Sequence, residues 1–519
     1  MMKLVLLALY FAVLLGIGFK CRKSANSVDG FVLGGRSVGA WLTAFAYGTS
    51  YFSAVVFVGY AGQFGWRYGI AATWAGIGNA LIGSLLAWTI LGRRTRLLSQ
   101  HLDASTMPEF FGRRFDSKAL KLVASVIIFV FLVPYTASLY NGLSRLFGMA
   151  FSIDYSVCIV LMSVLTAVYV IAGGYLATAV NDFIQGIIML FGLVAVIVAV
   201  ILSKGGLLAA MDSLSRVSDP AVSTSPGVFA SFLGPDPLNL LFVVILTSLG
   251  TWGLPQMVQK FYAIKNEDAI RKGTVISTLF AFVIAGGCYF LGGFGRIFGE
   301  RIGVVASPTG ALLPRGGFDA IIPAMLSDLG PMLIALTVIL VLSASMSTLS
   351  SLVITSSSTL TSDFIKGTFA KRMSPKGEVL VIRLFVVVFI AISAVLALVQ
   401  HQSAVTFIAQ LMGISWGALA GSFLAPFLYA LYWKGTTKAA CWASFLFGSG
   451  LMIVDMVARD SLPAILRSPI NCGAIAMLAG FVIVPLVSFV TKAPDRRFTE
   501  QLFTCYDKQH PIAAKTALG

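Results

Sequence analysis

Apolar residues in this chain come in long, nearly uninterrupted stretches, and that feature constrains its fold more than any other. About 20 apolar residues in a helix cross the roughly 30 Å hydrocarbon core of a bilayer. Thirteen such spans are predicted, near residues 2–19, 40–63, 67–92, 122–149, 154–173, 183–203, 235–259, 274–296, 323–361, 384–400, 404–431, 440–458 and 472–491. The ninth is too long to be only a span, and its tail is expected to project into the cytoplasm. Of the 519 residues, 58% are hydrophobic and 11% charged, where an ordinary soluble protein carries about 25% charged residues. These figures exclude intrinsic disorder, a disulfide scaffold and a soluble enzyme. The expected fold class is an all-α polytopic membrane protein with about 13 transmembrane helices.

The formal net charge of +16 would suggest nucleic acid in a soluble chain. Here it reads as an orientation signal. With segments 20–36, 93–121, 260–273, 362–383, 432–439 and 492–519 taken as cytoplasmic, they hold 27 of the 37 basic residues and 11 of the 21 acidic ones, which is the whole excess. The N-terminus is then outside, the C-terminus is inside and the location is the cell membrane. Residues Met1 to Phe19 resemble a signal peptide only superficially. The basic cluster Lys20, Arg22, Lys23 follows the apolar run, and no small-residue cleavage site is present. The segment is read as an uncleaved first span. Six scattered cysteines form no C-x-x-C pair, and three histidines fall outside the spans. Neither H-E-x-x-H nor G-x-x-x-x-G-K-[ST] occurs, which argues against a metalloprotease and against an ATP-driven motor in this chain.

Two spans carry polar interruptions. The second contains Ala46-Tyr47-Gly48-Thr49-Ser50-Tyr51-Phe52-Ser53, and the seventh contains Thr247-Ser248-Leu249-Gly250-Thr251-Trp252-Gly253-Leu254-Pro255-Gln256. Gly and Pro there loosen the helix and free carbonyls from their partners. Small polar residues also serve ordinary helix packing. The two interruptions lie five spans apart, so their helices run in opposite directions. That is the pattern of inverted repeats, each opened by a discontinuous helix. The expected division is a peripheral first helix and loop (1–36), a first core repeat (37–203), a second core repeat (204–431), and peripheral helices with a tail (432–519).

The ninth span contains Ser343-Ala344-Ser345-Met346-Ser347-Thr348-Leu349-Ser350-Ser351. Ser347 and Ser351 share a face, and Thr348 lies one turn before Ser351. Hydroxyls beside opened carbonyls offer neutral oxygens, which suit a hard monovalent cation; such hydroxyls also bond back to their own helix. Asp182 opens the sixth span. A carboxylate within a membrane is expensive and points to function, whereas at a helix start the dipole favours it. Arg145 interrupts the fourth span near its outer end. It reads either as a snorkelling side chain or as an attractor of anions.

These pieces together resemble the sodium:solute symporter family. The resemblance rests on Gly34-Gly35-Arg36-Ser37-Val38-Gly39, on Thr106-Met107-Pro108-Glu109-Phe110-Phe111-Gly112-Arg113-Arg114-Phe115, and on Gly173-Gly174-Tyr175 followed by Asp182. Ala344 to Ser350 and Leu431-Tyr432-Trp433-Lys434 complete it, in the family's order, over roughly residues 5–490. It implies an inverted five-helix repeat core with discontinuous first and sixth core helices, alternating access, and sodium as the coupling ion. It also implies a main sodium site from the carbonyls of Thr49, Phe52 and Ala344 and the hydroxyls of Ser347 and Thr348. Asp182, Ser347, Ser350 and Ser351 match a second sodium site found in some members.

Substrate-lining candidates beside the breaks are Tyr47, Tyr51, Ser53, Trp252, Gln256 and Gln410; aromatics here serve packing equally well. Tyr51 stands where relatives often carry a short polar or acidic side chain, and Pro255 where sugar carriers tend to have an amide. A small organic solute, an amino acid or a carboxylate, fits best. The expected partners are that solute, sodium and the lipid bilayer, without nucleic acid. The leading function is a sodium-coupled symporter. A sodium-independent exchanger or facilitator on the same fold, and a transporter-like sensor, are the alternatives. A membrane-embedded enzyme fits least.

Overall fold

The computed structural model describes residues 2–50, 52–151, 154–370, 372–403 and 408–507. Tyr51 lies outside them, as does the side chain of Arg145. The architecture is all-helical apart from a small antiparallel hairpin pairing Val304–Ala306 with Leu312–Pro314. Among the described residues, nine helices are long and apolar enough to cross a membrane, or ten if the bent pair Pro237–Trp252 and Pro255–Ala263 forms one span.

This count is lower than thirteen because helical hydrogen bonding runs through boundaries that the apolar runs mark. Tyr155–Leu202 has 48 residues and covers two predicted spans. At 1.5 Å per residue it would be about 70 Å long, more than twice the hydrocarbon thickness. Gly174 breaks it, with φ 57° and ψ −157°, a conformation that L side chains rarely adopt. Val55–His101, 47 residues, likewise covers the end of the second predicted span and all of the third. It is interrupted at Gly69, where φ is 62° and ψ −142°. The predicted first span corresponds to the helix Met2–Lys20.

Burial separates centre from periphery. In the helix Ile408–Tyr432, 94% of the apolar window is buried, against 33% in Pro375–Gln400. Ile408–Tyr432 packs most closely on Lys438–Val457 and Pro469–Val490, and backbones touch there. A Cβ added to Gly448 would stand 2.3 Å from the carbonyl carbon of Gly421, so glycine is what permits the approach. The outward faces carry exposed large apolar residues such as Phe191, Val387, Leu446 and Phe489. In water such a surface would aggregate; against lipid tails it is matched.

Both interruptions read from the sequence are breaks in the structure. The first helix half, Ala40–Thr49, ends before Ser50, and a π-helical turn resumes at Val55–Tyr60. In the second, a π-turn Ile245–Leu249 and a 3-10 turn Gly250–Trp252 precede a new helix, Pro255–Ala263, bent by 40°. Pro255 at the start of that helix lacks only an N–H that would have no partner there.

The family-like motifs form a scaffold at one end of the bundle. Gly34, Gly35 and Arg36 all have positive φ. The turn drives the Arg36 guanidinium into the interior, where it donates to the carbonyls of Ala104 (2.6 Å) and Tyr262 (3.3 Å). Thr106 caps the helix Met107–Arg114 by accepting from the Glu109 N–H, and Glu109 reaches back to the Ser105 N–H. Arg114 donates to the carbonyls of Ala430 and Trp433, tying two motifs together, and burial pushes its guanidinium pKa down to about 10. The π-helical turn Thr359–Ile365, at the end of the ninth predicted span, packs against the helices Met107–Arg114 and Lys118–Phe151. Asp363 is fully buried, accepting from the Thr106 hydroxyl at 2.5 Å and paired with Lys121 at 3.0 Å.

Candidate ion site and its surroundings

The helix Pro331–Ser358, called here the hydroxyl helix, passes beside the first break with every residue from Val338 to Ser358 buried except Ile339. Thr49 is the last residue of its helix half, so its carbonyl has no partner further along. The hydroxyl helix supplies the missing donors. Ser347 Oγ donates to the carbonyls of Thr49 (3.1 Å) and Ala344 (3.0 Å). Thr348 Oγ1 stands 3.1 Å from the Thr49 carbonyl, 3.2 Å from that of Phe52 and 3.0 Å from that of Ala344. The five oxygens expected of the main sodium site are therefore gathered by hydrogen-bond contacts, and all five residues are buried. Ser345 Oγ also accepts from the Ala54 N–H (3.2 Å), which serves the resuming half.

The donor set is chemically apt for sodium. It contains three carbonyls and two hydroxyls and no full charge. Each hydroxyl has one proton and two lone pairs. It can donate to a carbonyl, or rotate and offer a lone pair to a cation. A cation drawn between these oxygens would join the broken helix to the hydroxyl helix.

The second expected set is differently placed. Ser350 Oγ donates to the Ser347 carbonyl at 2.9 Å. Ser351 Oγ lies 2.9 Å from Ser50 Oγ and accepts from Lys260 Nζ at 3.0 Å. Asp182 is fully buried, and among the described residues neither carboxylate oxygen has a hydrogen-bond partner. Lys260, assigned from the sequence to a cytoplasmic loop, is 1% exposed inside the helix Pro255–Ala263. That assignment is corrected: Pro255 restarts a helix, and the helix carries Lys260 inward. Gln259, its neighbour, donates to the Val32 carbonyl and accepts from Thr355.

The solute candidates separate into two groups. Tyr47 donates its hydroxyl to the Gly83 carbonyl (2.7 Å), and Trp252 its indole N–H to the Ile82 carbonyl (2.9 Å). Both act as helix-to-helix ties. Ser53 lines a cavity of about 10 Å³ with Phe52, Phe57, Ile284, Cys288 and Ala344. That space holds about one water. Gln256 is fully buried with both amide heteroatoms unpartnered, and Gln410 is half-buried. Larger cavities lie elsewhere. One of about 440 Å³ is lined by Arg67, Asp236 and Asn471, and one of about 580 Å³ by Glu109, Lys121 and Lys366. The second broken helix starts beside the first cavity and runs toward the other.

Comparison with known proteins agrees with this geometry. A family model described as the sodium:solute symporter family matches residues 31–448. The osmoregulated proline transporter OpuE of Bacillus subtilis (strain 168) is 26% identical over 491 residues, 94% of each chain. A sodium/proline symporter of Staphylococcus aureus is 28% identical over 511 residues, 94% of this chain and 93% of its own. A solved Na+-coupled sialic acid symporter, substrate-bound and outward-open, aligns with a TM-score of 0.71 at 17% identity, covering 95% of this chain and 98% of its own. That likeness shows the fold, a transporter core of inverted five-helix repeats. With a family match that spans both broken helices and the whole hydroxyl helix, the chain belongs to the sodium:solute symporter family.

Proposed function

We propose that this sodium-coupled transporter imports proline or a similarly compact, zwitterionic amino acid, with sodium held by Thr49, Phe52, Ala344, Ser347 and Thr348. The carrying observation is the convergence of Ser347 and Thr348 hydroxyls on carbonyls freed by the break. Sodium coupling and small organic solutes accord with the family. The solute class is supported by proline-carrying relatives aligned over 94% of this chain.

Coupling follows from what the cation must do. To be bound, it turns the two hydroxyls away from the carbonyls and replaces their hydrogen bonds with its own. The end of the Ala40–Thr49 half is then held to the hydroxyl helix, next to the break that carries Ser53. Opening to either side is alternating access, with residues 37–203 and 204–431 as the two repeats. We place the N-terminus outside and the C-terminus inside the cell membrane, on the strength of the basic residues in segments 20–36, 93–121 and 362–383.

The test is uptake of radiolabelled L-proline by vesicles reconstituted with the full chain. Replacing external sodium by choline is expected to slow uptake at least about tenfold, equivalent to ~1.4 kcal/mol. Proline uptake that persists unchanged in choline would favour the sodium-independent facilitator. Uptake of a bulky or charged amino acid, but of neither proline nor another compact zwitterion, would overturn the solute assignment alone.

A further inference from the structure

Lys260 is a buried charge that the main ion site does not use. Its ammonium donates to Ser351 Oγ at 3.0 Å and stands 4.9 Å from the centroid of the Tyr175 ring. Ser351 Oγ in turn meets Ser50 Oγ at the first break. The opposing charge is Asp182, fully buried, and among the described residues neither of its oxygens has a hydrogen-bond partner. An electrostatic attraction runs between Lys260 and Asp182. No ion pair within 4.0 Å joins them, so the ammonium compensates the carboxylate through space, from the hydroxyl it holds.

A charge count decides what else this volume can take. One carboxylate and one ammonium already sum to zero. A sodium ion bound by Asp182, Ser347, Ser350 and Ser351 would bring the buried volume to +1. It would also have to share Ser351 with a like charge 3.0 Å away, and like charges close together in a desolvated interior repel strongly. The main site carries no such competitor, because its ligands are all neutral.

We infer that the Lys260 ammonium is a tethered cation standing in for the second sodium at Asp182 and Ser351, so that one sodium is bound per chain. The inference rests on the sodium reading of the main site. The tethered charge neutralises Asp182 in every state of the cycle and is never released. Removing it frees Ser351 and leaves the Asp182 carboxylate uncompensated, so that the set Asp182, Ser347, Ser350 and Ser351 is open to a sodium ion.

The test needs no solute. Equilibrium binding of radioactive sodium to the purified full chain is expected to give one ion in the wild type and two in Lys260→Met. The double variant Asp182→Asn/Lys260→Met should return to one. Two ions in the wild type, or one in a folded Lys260→Met, would overturn the inference. Lys260→Met is expected to unfold at lower temperature in choline chloride and to recover in sodium chloride, by a larger margin than the wild type; equal instability in both salts would also overturn it. Thr348→Ala separates this inference from the main-site reading. Loss of the wild-type ion in Thr348→Ala supports both. Retention there, with loss in Asp182→Asn, would place the single sodium at Asp182 and defeat both. No ion bound to the wild type would defeat the sodium reading itself.

Discussion

Two oxygen clusters hang on the same stretch of the hydroxyl helix, and they are built on opposite principles. Ser347 and Thr348 meet only carbonyls, and every contact there is a neutral hydrogen bond. Ser351, one turn further on, meets an ammonium and the Ser50 hydroxyl. Neutral hydrogen bonds contribute about 0.5–1.5 kcal/mol each and exchange easily for an ion. Breaking a buried charge pair costs about 3–5 kcal/mol. The first cluster is suited to loading and unloading, the second to holding a fixed state. A polar residue inside a membrane protein is thus not one kind of signal; its partners decide whether it is machinery or ballast.

The sharpest way to break this contrast is Asp182→Asn. It leaves Lys260 as an unpaired buried charge and is expected to destabilise the protein by about 3–5 kcal/mol, read as a large fall in the thermal unfolding midpoint. An unchanged midpoint would mean that the two charges are independent. Next in size is Thr348→Ala or Ser347→Ala. Each removes a ligand of the charged ion, worth about 1.5–3 kcal/mol. The sodium concentration for half-maximal uptake should rise about 10- to 100-fold, with stability much less affected. Gly174→Ala comes third. A positive φ of 57° costs an L residue about 1–2 kcal/mol, and the added Cβ would lie 3.1 Å from Ala25 Cβ and from Phe31 Cδ2. The midpoint should fall while sodium half-saturation holds; a matching shift in both would show that the Asp182 helix and the main site are not separable. Smallest is Ser362→Ala, beyond both clusters, expected to change neither quantity. An effect equal to that of Thr348→Ala would mean that the ion site is misplaced.

Much of the core was legible because its signals are local. Gly48, Gly250, Gly253 and Pro255 weaken a helix whatever surrounds it, so both breaks could be read directly. The serine run from Ser343 to Ser351 shows its spacing, and helical periodicity converts spacing into a shared face. Lys260 was not legible in the same way. A basic residue just after an apolar run reads as a loop residue under the positive-inside rule, and only the helix restarting at Pro255 carries it inward. The signal available was that helix start: Pro255 followed by eight residues free of Gly and Pro. Tyr47 and Trp252, read as solute-lining candidates, give their hydrogen bonds to the carbonyls of Gly83 and Ile82. Backbone acceptors on another helix leave no trace in composition. The sequence motifs most useful for recognition, around Arg36, Thr106 and Arg114, turn out to brace one end of the bundle rather than touch the ion.

That bracing has a mechanical consequence. Asp363 lies five residues past Ser358, in the π-helical turn Thr359–Ile365 that continues the hydroxyl helix. It is fastened there by Thr106 and Lys121. A helix pinned at its end by a buried ion pair cannot slide along its axis without rupturing that pair. It is therefore held fixed relative to the segments that carry Thr106 and Lys121. An ion closing on Thr348 would then draw the end of the Ala40–Thr49 half toward a braced partner, because the interruption there bends at small expense.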